Sequence, residues 1–158
     1  MTNKPDFDVA AAHRHFAASC FNAAWDLIDK SNRSAAEDEE MLRLAMASVW
    51  HWTQREDCTP ENLSTGYWQV SRIYAVLKRA EDARRYGQMS LETGQAEGVG
   101  PFYRGYALEA LARAEAVAGN RARMESYLGQ AQQMADAVPD AEARKMLLDD
   151  LKTLADRG

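Results

Sequence analysis

The chain has 158 residues, of which 46% are hydrophobic and 27% are charged. This length and composition are typical of one folded domain with a sizeable core and exclude an intrinsically disordered chain. The formal net charge of -5 argues against nucleic acid or an anionic membrane surface as the partner. The chain contains no run of roughly twenty apolar residues, so no membrane-spanning helix is expected.

Residues 1–7 are polar, and we expect them to form a disordered tail rather than a signal peptide, which needs an apolar run. Cys20 and Cys58 are the only cysteines and lie in different predicted segments. Half-buried thiols in a reducing compartment fit this pattern better than a disulfide does. We therefore expect a cytoplasmic protein.

An all-α fold of about seven helices is predicted, because Ala, Leu, Met, Glu, Gln and Arg abound and few prolines interrupt them. Ser34 and Glu37 form a capping box at the start of the second helix. Pro60 suits the first turn of the third helix, and Gly119-Asn120 is a strong turn signal after the fifth. The pattern predicts a single domain over residues 8–158, with helical hairpins over roughly 8–55, 60–96 and 101–137 and a capping helix over 140–156.

The third and fourth helices correspond to the fifth and sixth at a spacing of about 41 residues, which predicts an internal repeat of helical hairpins. Each half has a large and then a small residue in its first helix, a short turn, and an aromatic and then a small residue in its second helix. The aligned pairs are Val70 and Ser71 with Leu111 and Ala112, Lys78 with Gly119, Tyr86 with Tyr127, and Ser90 with Ala131.

This pattern resembles the tetratricopeptide-repeat family and its TPR-like relatives, through residues 62–135. Glu115 stands where an aromatic residue equivalent to Tyr74 is expected, and Met124 stands where a small residue equivalent to Ala83 is expected. The resemblance implies antiparallel helical hairpins stacked as a short TPR-like α–α superhelix. The residues that fit the family pattern are Val70, Ser71, Tyr74 and Ala83 in the first repeat, and Leu111, Ala112, Gly119, Leu128 and Ala131 in the second.

The resemblance also implies a concave surface that is lined by the first helix of each hairpin and holds a peptide or protein segment. Carried over to this chain, the peptide-binding residues are Trp68, Arg72, Tyr106, Glu109 and Arg113. Trp and Arg are common binding hot spots because they offer a large contact area or a forked donor. The opposing interpretation packs Trp68 against the first two helices and leaves both arginines in solvent. The first hypothesis is therefore a non-catalytic protein–protein interaction module.

Two alternatives remain open. Trp25, Trp50, His51 and Trp68 could wall an aromatic pocket in a small helical ligand-binding protein or enzyme, although such clusters are more often core. A self-associating protein is the other alternative, because a short repeat array has ends that a second copy could cover.

No catalytic residue, metal site or cofactor is predicted. The candidate metal ligands lack the spacing that places two of them on one helix face, and His13 and His15 diverge by about 200°. These candidates are His13, His15, His51, Cys20 and Cys58.

Cys58 with His51, Glu56 and Asp57 is the best catalytic grouping, yet neither an oriented base nor an oxyanion site is evident. A locally basic patch is expected to be a solvated face. Its members are Arg72, Lys78, Arg79, Arg84 and Arg85.

Overall fold

A computed structural model describes residues 6–155 of the chain, and its regular structure over that range is entirely helical. The helices are α1 (Val9–Ile28), α2 (Ala35–Thr53), α3 (Pro60–Val76), α4 (Ala80–Gly94), α5 (Pro101–Ala118), α6 (Arg121–Asp136) and α7 (Ala141–Ala155). The predicted all-α fold of about seven helices is thus confirmed. Residues 1–5 of the expected disordered tail, and the predicted end of the capping helix at residue 156, lie outside the described range.

Local capping interactions set several helix ends. The Ser34 amide donates to Glu37 Oε2 at 2.8 Å and the Glu37 amide donates to Ser34 Oγ at 3.2 Å, so the predicted capping box is present. The Ala143 amide donates to Asp140 Oδ2 at 2.8 Å, which satisfies a backbone N–H group at the start of α7. Short polar side chains thus decide where these helices begin.

The described residues form two compact units, one ending at Thr59 and the other beginning at Pro60. The first unit is the antiparallel hairpin of α1 and α2. Apart from Met41, its buried residues are small, and Ser48 Oγ donates to the Ala17 carbonyl across the seam at 2.7 Å. Small side chains let two helices approach closely. The single domain expected over residues 8–158 stays a prediction.

The second unit is organised around α5. This helix contacts α3, α4, α6 and α7, and every residue from Gly105 to Glu115 is buried. A β-carbon at Gly105 would collide with Leu147 Cδ2, so the glycine permits the close approach of α7. Because α5 is covered on so many sides, its polar residues must find partners inside the protein.

The hairpins α3–α4 and α5–α6 turn in the same way. Lys78 and Gly119 both have left-handed backbones, with φ of 62° and 73°. The next amide in each case, Arg79 or Asn120, donates at 2.9 Å to the carbonyl five residues earlier. The turns are therefore equivalent at the spacing of about 41 residues that the sequence predicts.

Candidate functional site

The five residues predicted to bind a peptide lie together in the second unit, around the carboxylate of Glu109. Trp68 Nε1 donates to Glu109 Oε2 at 2.9 Å, and Arg72 Nη1 donates to Glu109 Oε1 at 3.0 Å. Arg113 Nε, one turn along α5, also donates to Glu109 Oε1. The ring of Tyr106 packs edge-on against Trp68, with the ring centres 5.1 Å apart. Sequence reasoning therefore selected residues that do form one cluster.

Helix α7 covers this cluster and pairs with it. Tyr106 donates its hydroxyl proton to Asp150 Oδ2 at 2.7 Å, and Arg113 Nη2 donates to Thr153 Oγ1 at 2.7 Å. Burial, together with the hydrogen bond to Asp150, raises the pKa of Tyr106 far above its ordinary value. The hydroxyl therefore stays protonated and acts as a donor between α5 and α7.

The exposure of these side chains differs from that of an open groove. Glu109 is fully buried, while Tyr106 and Arg113 each keep only 8% of their surface exposed. Arg72 has 21% of its side chain exposed. The opposing interpretation, in which Arg113 is solvated, is wrong because α7 covers it. The peptide-binding role of the five residues stays a prediction.

A cavity of about 500 Å³ lies in the first unit and one of about 220 Å³ lies in the second. The second cavity lies beside the Glu109 cluster, between the C-terminal halves of α3 and α5. Among the residues that the structure describes, the charged ones in its lining are all cationic: Arg72, Lys78 and Arg113. The remaining lining residues are apolar, namely Ala75, Val76, Ala116, Val117 and Leu154.

A second buried carboxylate connects the two hairpins of this unit. Glu115 is fully buried, and Arg84 of α4 donates to it through Nε at 2.7 Å and Nη2 at 3.2 Å. This hydrogen bonding lowers the pKa of Glu115 below its ordinary value. Arg84 was expected on a solvated face; its side chain is 35% exposed, and its guanidinium pairs with the buried Glu115. Glu115 thus replaces the expected aromatic residue with an ion pair.

Trp25 and Trp50, two aromatic residues of the alternative hypothesis, lie at different places within the first unit, and the pocket itself stays a prediction. Trp25 packs against Phe21 at 6.5 Å, whereas Trp50 contacts the ring of His13 at 5.4 Å. Positions 13 and 25 are about 18 Å apart along α1. Trp50 is 54% exposed, so it is not a core residue. Trp68 belongs to the second unit, where its ring lies against Tyr106.

The proposed catalytic grouping does not assemble around Cys58. Burial raises the pKa of the Cys58 thiol, which disfavours the nucleophilic thiolate. Asp57 accepts two hydrogen bonds from Arg55, at 2.8 and 2.7 Å. His51 instead contacts His13, with the two Nδ1 atoms 2.8 Å apart. The sequence prediction missed this pair, because it considered only the spacing of possible ligands within a single helix. Aligning α1 and α2 as an antiparallel hairpin could have revealed it.

A metal site with three or more protein ligands and a membrane-spanning helix are both missing from the part of the chain that the structure describes. No group of three or more His, Cys, Asp or Glu residues there could hold a metal ion. None of the helices in that part has both the length and the apolarity needed to cross a bilayer. No family model, curated protein or solved structure matches the chain, so the resemblance to TPR-like proteins rests on its residues alone.

Proposed function

We propose that this chain is a non-catalytic, TPR-like interaction module that binds a peptide or protein segment at the cavity between α3 and α5. The observation that carries the proposal is the lining of that cavity, whose charged members within residues 6–155 are all cationic. The partner segment carries a carboxylate beside a small apolar side chain. The carboxylate pairs with the cationic wall, and the apolar group contacts the alanines and valines.

The Glu109 cluster supports this proposal because it holds the two arginines in place before a partner arrives. Arg72 and Arg113 share the Glu109 carboxylate, and Arg113 is held further by Thr153. A guanidinium presents its N–H donors in a planar fork, a geometry that suits recognition of a carboxylate. Side chains fixed in advance lose less conformational freedom on binding, which favours affinity.

The charge of the cavity supports the choice of an acidic partner. The exposed Lys78 adds a positive charge at the rim to the two guanidiniums that line the cavity. The protein as a whole has a formal net charge of -5. The cavity is therefore a local positive region on an acidic protein, which restricts where an acidic segment can bind.

The test selects peptides from a random library on the immobilised full chain and then measures their affinities for two charge-reversed variants. Lys78→Glu changes the cavity rim. Arg85→Glu makes the same charge change at an exposed position of α4 that does not line the cavity. We expect the selected peptides to be rich in Asp, Glu or a free C-terminal carboxylate. Lys78→Glu should weaken their binding at least tenfold, and Arg85→Glu should leave it within twofold.

An equal loss of peptide affinity in Lys78→Glu and Arg85→Glu would show that binding depends only on net charge. The assignment of the binding site to this cavity would then be wrong. Selection of no binding peptide, or of peptides that both variants bind as the wild type does, would also overturn the proposal. Circular dichroism of both variants confirms that the helices remain.

A further inference from the structure

The hairpin of α1 and α2 brings two imidazoles into direct contact. His13 lies in the second turn of α1 and His51 in the last turn of α2. Their Nδ1 atoms are 2.8 Å apart, and their ring centres are 5.1 Å apart. Because the helices are antiparallel, residues distant in sequence meet at this end of the hairpin. Two nitrogen ligands thus lie side by side without any local sequence motif.

The pair has the chemistry of a metal ligand set. Imidazole nitrogen suits Zn²⁺, Cu²⁺ and Ni²⁺, and it binds them through the lone pair of a neutral ring. Two zinc-bound nitrogens at about 2.0–2.1 Å in tetrahedral geometry lie about 3.3 Å apart. To accept the ion, the two Nδ1 atoms separate by about 0.5 Å and the rings turn so that both lone pairs point at it.

The site is open to solvent. His13 lines the cavity of about 500 Å³ in this unit, together with two basic and two acidic side chains. Among the described lining residues the opposite charges are equal in number, so these side chains together do not repel a divalent cation. The charged members are Arg14, Arg55, Glu56 and Asp57. The described residues provide no third ligand nearby, so water from this cavity fills the remaining coordination positions.

We propose that His13 and His51 form a two-imidazole binding site for a divalent transition metal of the zinc class. The ion replaces the single hydrogen bond between the rings and bonds to both Nδ1 lone pairs. The ring that donates through Nδ1 moves that proton to its own Nε2 by exchange with water. Two neutral rings therefore bind the ion without net proton release. The bound metal joins α1 to α2 and stabilises the hairpin.

The test uses the full chain without a histidine tag and Zn²⁺ alone as the probe. Isothermal titration compares wild type with His13→Ala and His51→Ala, and His15→Ala serves as the matched control. His15 is also on α1 and exposed, and its ring packs against Phe16. We expect one Zn²⁺ per chain for wild type and His15→Ala, and at least a tenfold higher Kd for the other two variants.

Two further measurements separate a lost ligand from a lost fold. His13→Asn keeps a polar side chain of moderate size and should also lose affinity while its circular dichroism stays unchanged. Zn²⁺ should shift the NMR signals of Nδ1 in His13 and His51 but not in His15, and it should raise the Tm of wild type. The proposal is overturned if Zn²⁺ does not bind saturably below millimolar concentration. It is equally overturned if His15→Ala loses affinity as His13→Ala does, or if both variants of the pair bind like wild type.

Discussion

Replacing Glu109 by alanine should strongly destabilise the second unit. The substitution removes the acceptor that Trp68, Arg72 and Arg113 share, and it does so at a fully buried position. The side chain of Arg113 is only 9% exposed, so solvent cannot replace the lost carboxylate. Removing one partner of a buried ion pair costs about 3–5 kcal/mol of unfolding free energy. For a chain of this size, that corresponds to a decrease in Tm of about 6–20 °C.

Glu125→Ala is the matched control. Glu125 also pairs with an arginine one helical turn away, Arg121, but the side chains are 56% and 72% exposed. Exposed pairs of this kind contribute about 0–1 kcal/mol. Glu109→Gln keeps the side-chain volume and one carbonyl oxygen, but its NH₂ group faces other donors. The decrease in its free energy of unfolding should therefore lie between those of Glu125→Ala and Glu109→Ala.

The assay is urea unfolding followed by circular dichroism, with Trp fluorescence as a second probe. Coincident transitions justify a two-state free energy. The reasoning is refuted if Glu109→Ala lies within 1 kcal/mol of wild type, or if Glu125→Ala costs as much as Glu109→Ala does. In either case the buried network around Glu109 would contribute no more to the free energy of unfolding than a solvent-exposed ion pair does.

Two further predictions concern the same unit. Pairing with Arg84 lowers the pKa of Glu115 in the folded protein. The ion pair therefore stabilises the fold fully above the ordinary glutamate pKa of about 4.3, and this stabilisation is lost as the pH falls through the lower pKa of the folded state. Urea midpoints from pH 7 to 3 should therefore decrease more steeply for wild type than for Glu115→Gln, and parallel curves would contradict this. Gly105→Ala should lower the Tm, because its β-carbon meets Leu147 and overpacking costs about 1–3 kcal/mol. Gly129→Ala, at a helical position with open space, should instead stabilise by up to about 1 kcal/mol, and equal effects of the two substitutions would refute the packing argument.

Much of the helical framework could be predicted because helix ends and faces depend on neighbouring residues. The hairpin expected over residues 8–55 has helices from Val9 to Thr53, and those expected over 60–96 and 101–137 end within two residues of their predicted limits. Ser34 forms its capping box, and Lys78 turns the chain as Gly119 does. Each of these features depends on hydrogen bonds within a few residues, so a single sequence contains the necessary information.

The helices, the hairpin turns and the residues that share a helix face thus follow from local sequence. Three contacts follow from the packing of distant segments instead: α7 covers Tyr106 and Arg113, Glu115 pairs with Arg84, and His13 meets His51. The helical period states which side chains point the same way, but not which other helix lies opposite them. Which helix lies opposite depends on packing between distant segments. That packing makes the residues around Glu109 a buried network with a cavity beside it instead of an open binding face.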